Sequence, residues 1–277
     1  MYHIGFIMDG NRRFSKQYNL NYKEGYTKGM LQFFNVIKWQ VERQIKTTSF
    51  YALSLDNAQK RSRDELESIK SIIMQLLEDP QFEQYCIQHS IKLHLRGRYF
   101  KDNHFLKNVF DTDLKQFSNN IQAKMLQNQF SKNQELLEYL QTKISIYEEK
   151  LQSAHNLNQS SKTLDQYIYH VNIALFYDGV DEIVTTTQHI ARKVKNNELN
   201  IEDISKEVFQ QESYFPSTNP PEIIVRTGNA PRISGFMLFL SAYSEIYLTP
   251  KLWPELEKKD LDEILTWFSK QSRNFGK

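Results

Sequence analysis

The chain has 277 residues, 40% of them hydrophobic, which is enough for one large α/β domain or two small ones. Its 35 Lys and Arg against 33 Asp and Glu give a net charge of +2, so no nucleic-acid or anionic-membrane partner is demanded and any arginine that matters must act locally. The single cysteine, Cys86, excludes an internal disulfide and a Cys-rich zinc site. No apolar run approaches the roughly 20 residues that span a bilayer.

The first stretch, His3 to Arg13 (HIGFIMDGNRR), carries the densest signal. Ile4, Phe6, Ile7 and Met8 are apolar on both alternations, the mark of a strand buried on both faces. Asp9-Gly10-Asn11 is a turn triplet, and Arg12 and Arg13 follow at once. An acid, a flexible backbone and two guanidiniums thus sit at the carboxyl end of a buried strand, where open α/β sheets bind ligands. Backbone N–H groups and Arg suit phosphate oxygens, and Asp9 suits a hard cation such as Mg²⁺. A solvated Asp-Gly turn remains the alternative at this point. Because the chain enters this strand immediately, it leaves no room for a leader peptide, and a cytoplasmic chain complete from residue 1 is expected.

Met30, Phe34, Ile37 and Val41 then predict a helix with one apolar face. Thr48 to Leu55 (TSFYALSL) is a second strand, ending in Ser54, Asp56, Asn57, Lys60 and Arg61. Ser62 and Glu65 have capping-box spacing ahead of a helix with stripe Leu66, Ile69, Ile73 and Leu76, and Pro80 breaks it. Ile91 to Leu95 alternates as a third strand and leads into Arg96-Gly97-Arg98. Residues 101–165 differ: they are polar, without Gly or Pro, and two stripes (Phe110, Leu114, Phe117, Ile121; then Leu137, Leu140, Ile144, Tyr147, Leu151) predict a helical insertion, read as two helices forming a protruding hairpin. Its second stripe fits core packing better than a coiled coil, and His155 to Lys162 reads as a polar loop.

Tyr169 to Tyr177 is another buried strand, closed by Asp178-Gly179 and followed by a helix with Ile183, Thr187, Ile190 and Val194 on one face. A short helix is expected over 201–211, and Pro216 to Pro221 leads into the strand Glu222 to Val225. Arg226-Thr227-Gly228-Asn229 follows, then Arg232 and Ser234. Ser244 to Thr249 reads as the last strand with Glu245 at its start, and Leu261, Ile264, Leu265 and Phe268 mark a C-terminal helix. Strands alternating with helices imply a single α/β domain with a mostly parallel central sheet and helices on both faces. Parallel strands share a direction, so Asp9, Arg13, Asn57, Arg61, Arg226 and Arg232 should meet on one edge, suited to a polyphosphate with Mg²⁺. No P-loop, G-x-G-x-x-G, H-E-x-x-H or G-x-S-x-G occurs, nor a D-D-x-x-D repeat.

Four stretches resemble the cis-prenyltransferases: HIGFIMDGNRRFSK, FYALSLDN followed by KRS, VNIALFYDGVDEIV, and IIVRTGNAPRISGFMLFLSAYSEIYLTPKLWPEL. The resemblance covers nearly the whole chain outside 101–165. It implies condensation of isopentenyl diphosphate onto an allylic diphosphate, usually farnesyl diphosphate, with cis geometry. By the same resemblance Asp9 would hold Mg²⁺ with Glu245 as a second contact. Gly10, Asn11, Arg12, Arg13 and Phe14 would cradle the allylic diphosphate, and Arg61 would contact phosphate. Asn57, with Ser54, would lie near the reacting carbons. Arg226, Arg232 and Ser234 would hold isopentenyl diphosphate. Phe33, Phe34, Ile37, Ile72, Ile73 and Leu76 are candidates for an apolar tunnel and equally for plain core. A homodimer and at most peripheral membrane contact are also implied. The departures are Tyr22 and Tyr26 where an Arg and a His are usual, Ala58 where an aromatic residue is usual, Ala230 in place of a Glu, and Asn274-Phe275-Gly276 in place of R-x-G. They keep two alternatives open: a catalytic subunit that needs a partner chain, and an atypical synthase of short or irregularly coupled products.

Overall fold

The computed structural model describes residues 1–99, 121–157 and 169–272. Six strands form one sheet in the order β3-β4-β2-β1-β5-β6. They are β1 His3–Ile7, β2 Thr47–Ser54, β3 Ile91–Arg96, β4 Tyr169–Tyr177, β5 Ile223–Arg226 and β6 Glu245–Leu248. Every neighbouring pair is parallel. The helices are α1 Asn11–Gln17, α2 Tyr22–Glu42, α3 Leu55–Lys60, α4 Arg63–Glu78, α5 Pro80–Gln88, α6 Ile121–Leu157, α7 Gly179–Lys195, α8 Lys206–Gln211 and α9 Lys258–Ser269.

The sheet is buried on both sides, as the doubly apolar strands require. Ile4, Phe6, Phe50, Val171 and Val225 face a larger core built with α2, α5, α6 and α9. Ile7, Tyr51, Ala174 and Ile224 face a smaller one with Tyr214, Phe215 and Phe236. The two-residue period that sorts these side chains is the strand's own. Helix starts follow local chemistry. Asn21 and Glu24 form a reciprocal capping box at α2, and Asp79 caps α5 with Pro80 in its first turn, so the break predicted at Pro80 is where α4 gives way to α5.

On the side away from the larger core, a polar ladder crosses four strands. His3 Nε2 meets Ser49 Oγ at 2.8 Å, Asn172 Nδ2 donates to Ser49 Oγ at 3.0 Å, and Arg96 Nε donates to Asn172 Oδ1 at 2.8 Å. Burial lowers the His3 pKa to about 4, so its ring is neutral in the folded chain at neutral pH.

The insertion differs from expectation, and Ile121 of the first stripe already belongs to the helix that carries the second. The second stripe belongs to one 37-residue helix that runs through Leu157, so His155 is helical rather than in a loop. Phe110, Leu114 and Phe117 lie outside the described residues. Leu137, Leu140, Tyr147 and Leu151 are buried in the larger core, and the Tyr147 hydroxyl donates to Ile91 O of β3. The second half of the insertion is therefore a wall of the domain and not a protrusion. Among the described residues no helix is long and apolar enough to cross a membrane. Leu137 is 1% exposed, and Leu137→Ala should cost about 2–5 kcal/mol in a denaturant titration, whereas a detached hairpin would cost almost nothing.

Candidate active site

The site begins where β1 ends. Gly10 caps α1 at φ +108°, and a Cβ there would come within 2.9 Å of the Leu252 side chain, so the tight reversal after Asp9 admits only glycine. The Asp9 backbone is fixed through its carbonyl, which accepts from Thr227 Oγ1 at 2.6 Å and Trp253 N at 3.0 Å. Its carboxylate then bridges two arginines: Arg226 Nη2 at 2.8 Å on Oδ2 and Arg13 Nη2 at 3.2 Å on Oδ1. Arg13 lies one helical turn beyond Asp9, and Arg226 ends the neighbouring strand in register with Ile7.

Arg226 is the best held of these cations. Its side chain is 5% exposed, and Nη1 donates to Arg232 O at 2.5 Å and Ser234 Oγ at 2.7 Å. The loop that carries those acceptors is pinned from below. Tyr51 OH donates to Ser234 O and Tyr177 O, both at 3.3 Å, and its ring stacks on Phe236. Tyr177 OH accepts from Met237 N and donates to Glu182. Burial pushes the Glu182 carboxyl up to about 7.

Asp9, Gly10, Asn11, Arg12, Arg13, Ser54, Asn57, Arg61, Arg226, Arg232 and Ser234 all line one cavity of about 700 Å³, so the strand ends do converge as their shared direction required. Phe14 does not join them: it lies outside the lining, and its ring packs on Tyr18 at 4.6 Å. Glu245 does not either. It pairs with Ile223, which pairs with Ile4, so it stands at the amino edge of the sheet while Asp9 stands beyond the carboxyl edge. Five residues of strand separate those levels, about 16 Å at the usual rise. The expectation that Glu245 shares a cation with Asp9 is thus corrected within one chain, because β6 runs parallel to β5 and begins at the far end. Ser54 also has a local duty, since its hydroxyl caps α3 by accepting from Asn57 N at 3.0 Å.

Below this polar mouth the lining is apolar: Met30, Phe33, Ile69, Ile72, Ile73 and Leu76 from α2 and α4, with Leu140 of α6 and Ile173 and Leu175 of β4. Of the tunnel candidates, Phe34 and Ile37 are buried outside the lining and serve the core alone. Sequence reasoning assigned no site role to Tyr26, Tyr51, Asp178 or Trp253, all of which line the cavity. Asp178 was visible as a turn residue after a buried strand, the same signal that marked Asp9.

Two buried atoms at this mouth, Asn11 Oδ1 and Arg226 Nε, have no hydrogen-bond partner among the described residues, although buried polar atoms are almost always paired. Arg226 Nε is a donor left for an anionic oxygen and Asn11 Oδ1 an acceptor left for a donor or a cation; with the arginine-lined mouth over an apolar chamber, this suits an amphipathic molecule with a strongly anionic head.

Comparison with known proteins gives that class its family. The prenyltransferase family model described as "Putative undecaprenyl diphosphate synthase" matches residues 7–170 and 111–276. The chain is 32% identical over 282 residues to a tritrans,polycis-undecaprenyl-diphosphate synthase (geranylgeranyl-diphosphate specific) of Pyrobaculum aerophilum, covering 99% of this chain and 95% of that protein. It is 30% identical to the protein of the same description from Thermoplasma acidophilum, covering 99% and 88%. Its structure is similar to lavandulyl diphosphate synthase from Lavandula x intermedia, crystallised with dimethylallyl diphosphate, at TM-score 0.75 and 25% identity over 99% of this chain and 98% of that one. A probable undecaprenyl diphosphate synthase from Campylobacter jejuni shares the fold at TM-score 0.63 and 22% identity, covering 100% of this chain and 99% of that one. The chain belongs to the undecaprenyl diphosphate synthase family: it is a cis-prenyltransferase, an enzyme of polyprenyl diphosphate synthesis.

The approach of α2 to the site is set by Gly29, whose carbonyl accepts from Trp253 Nε1 at 2.8 Å. A Cβ at Gly29 would stand 2.2 Å from Asn11 Oδ1. Gly29→Ala should therefore displace Asn11 and lower kcat/KM by about tenfold or more while costing about 1–3 kcal/mol of stability, read by steady-state kinetics and a thermal melt.

Proposed function

We propose that the enzyme extends an allylic diphosphate by repeated cis condensation with isopentenyl diphosphate in a Mg²⁺-dependent reaction. The observation that carries this is the Asp9–Arg226–Arg13 cluster opening directly onto the apolar chamber: charge stabilisation stands at the mouth and room for a hydrocarbon lies beneath.

The donor set fits Mg²⁺, which is commonly held by one or two carboxylates together with substrate phosphates rather than by an all-protein cage. Asp9 is the carboxylate at the mouth; its side chain is 30% exposed and so can be reached. When bound, the metal supplies neutralisation of the charge that develops on the departing diphosphate. The chain's own groups do the rest. Gly10, Asn11, Arg12, Arg13 and Arg61 hold the allylic diphosphate. Arg226, Arg232 and Ser234 hold isopentenyl diphosphate. Asn57, on the cavity wall with its backbone fixed by the Ser54 hydroxyl, is assigned to the neighbourhood of the reacting carbons and of the proton that must leave. The apolar chamber takes the hydrocarbon and keeps water from the carbon that becomes electron-poor.

Farnesyl diphosphate is the primer implied by the sequence signature. Geranylgeranyl diphosphate competes for the role, because the curated relatives named above are described as specific for it. A short product is a second reading, favoured by the likeness to the lavandulyl diphosphate synthase. A homodimer is part of the proposal. β6 is an edge strand with Ile246 exposed on it and Tyr243, 78% exposed, just before it, and Glu245 would belong to that interface. So is a cytoplasmic location with peripheral membrane contact, since an apolar product favours the bilayer.

Purified protein incubated with labelled isopentenyl diphosphate, Mg²⁺ and either primer should give a ladder of five-carbon additions, sized by mass spectrometry. A chelator should abolish the ladder, and Asp9→Ala should slow it by about 10²–10³-fold. A single short product would favour the second reading, and undiminished activity of Asp9→Ala would overturn the assignment of the site.

A further inference from the structure

A second cation cluster lines the same cavity as Asp9. Glu65, in the first turn of α4, is 2% exposed, and its carboxylate does not reach back to complete a capping box with Ser62. Its Oε1 faces three groups from three elements instead, one hydrogen-bond donor and two ion-pair partners. Tyr26 OH of α2 donates at 2.5 Å, Arg61 Nε at the end of α3 lies at 3.3 Å, and Arg12 Nε of α1 lies at 3.7 Å. The Arg61 guanidinium also sits 5.6 Å from the centre of the Tyr26 ring. Tyr26, Arg61 and Arg12 line the cavity, whereas Glu65 stands behind them.

We infer that Glu65 is a positioning residue which, with the Tyr26 hydroxyl, holds Arg12 and Arg61 as a preset cation pair for the diphosphate head. The inference rests on the proposed reaction, since it deepens the reading of the same mouth. Two guanidiniums at one oxygen repel each other, and a buried carboxylate between them offsets that repulsion. Arg12 is 62% exposed and would otherwise sample many rotamers, so ordering it before the ligand arrives lowers the entropy lost on binding. The Tyr26 hydroxyl has no role in charge balance. It fixes where the carboxylate points, and its ring presents a face to Arg61.

A positioning role and a simple charge effect have opposite signs here. If Glu65 only added negative charge near the mouth, neutralising it would strengthen anion binding. If Glu65 presets the arginines, neutralising it weakens binding although the net charge of the mouth rises. Wild type, Glu65→Gln and Tyr26→Phe should therefore be titrated with inorganic pyrophosphate by calorimetry, with circular dichroism as a check of folding. The expected result is about tenfold or greater loss of pyrophosphate affinity for Glu65→Gln and a smaller, severalfold loss for Tyr26→Phe, which keeps the ring and removes only the hydroxyl. In turnover assays the loss should fall on KM for the allylic diphosphate more than on kcat. Unchanged or tighter binding by folded Glu65→Gln would overturn the inference, and if that variant does not fold, unchanged binding by Tyr26→Phe does so. Failure of the proposed reaction is read separately: wild type would form no condensation product whatever its pyrophosphate affinity.

Discussion

The site depends first on the ion pair of Asp9 with the buried Arg226. The Asp9 carboxylate lies between Arg226 and Arg13, and its own carbonyl is tied to Thr227 and Trp253. Those contacts join the ends of β1 and β5, the start of α1 and the turn before α9. Arg226, almost wholly buried, would be expensive to hold without the acid beside it. The acid in turn keeps a cation at the sheet edge. Protein acceptors already engage these guanidiniums, so in the proposed reaction a diphosphate would substitute for acceptors already in place instead of ordering loose side chains.

Around that pair the division of labour follows the sheet. Strand ends carry the polar groups because a parallel strand's side chains are spent on two cores along its length, leaving only its terminus to meet solvent. The helices beneath provide hydrocarbon walls with the same side chains that build the larger core, which is why Phe33, Ile72 and Leu140 serve both purposes. The opposite face of the sheet is closed by Tyr51, Tyr177 and Glu182, which fix the loop bearing Arg232 and Ser234 at its root.

Much of this was legible in the order of residues. A doubly apolar strand ending in an acid and arginines announces both its burial and its chemistry, and parallel direction alone brings Asp9, Asn57 and Arg226 to one edge. Glu245 does not meet Asp9 within one chain because motif order places it beside a strand but register decides which edge it occupies, and register is a tertiary fact. Tyr26 and Glu65 were missed as a pair because they meet between two helices 39 residues apart. Glu65 looked like half of a capping box, a local explanation that hid a longer-range one. The tunnel candidates split between wall and core because helical periodicity marks a buried face without saying what it is buried against.

The position of β1 has a consequence for the life of the chain before it is an enzyme. β1 is made well before β5, yet it lies inside the sheet between β2 and β5, and Arg226 is 217 residues from Asp9. At ordinary rates of translation that separation is about 10–40 s of synthesis. During this interval β1 can pair with β2, but its other edge presents unpaired N–H and C=O groups beside Ile4, Phe6 and Ile7. Vectorial folding from the ribosome therefore stalls two strands short, and the emerging polypeptide carries an adhesive edge until β5 appears. A chain of this topology closes its sheet by slow long-range pairing, at the segment that ends in Asp9.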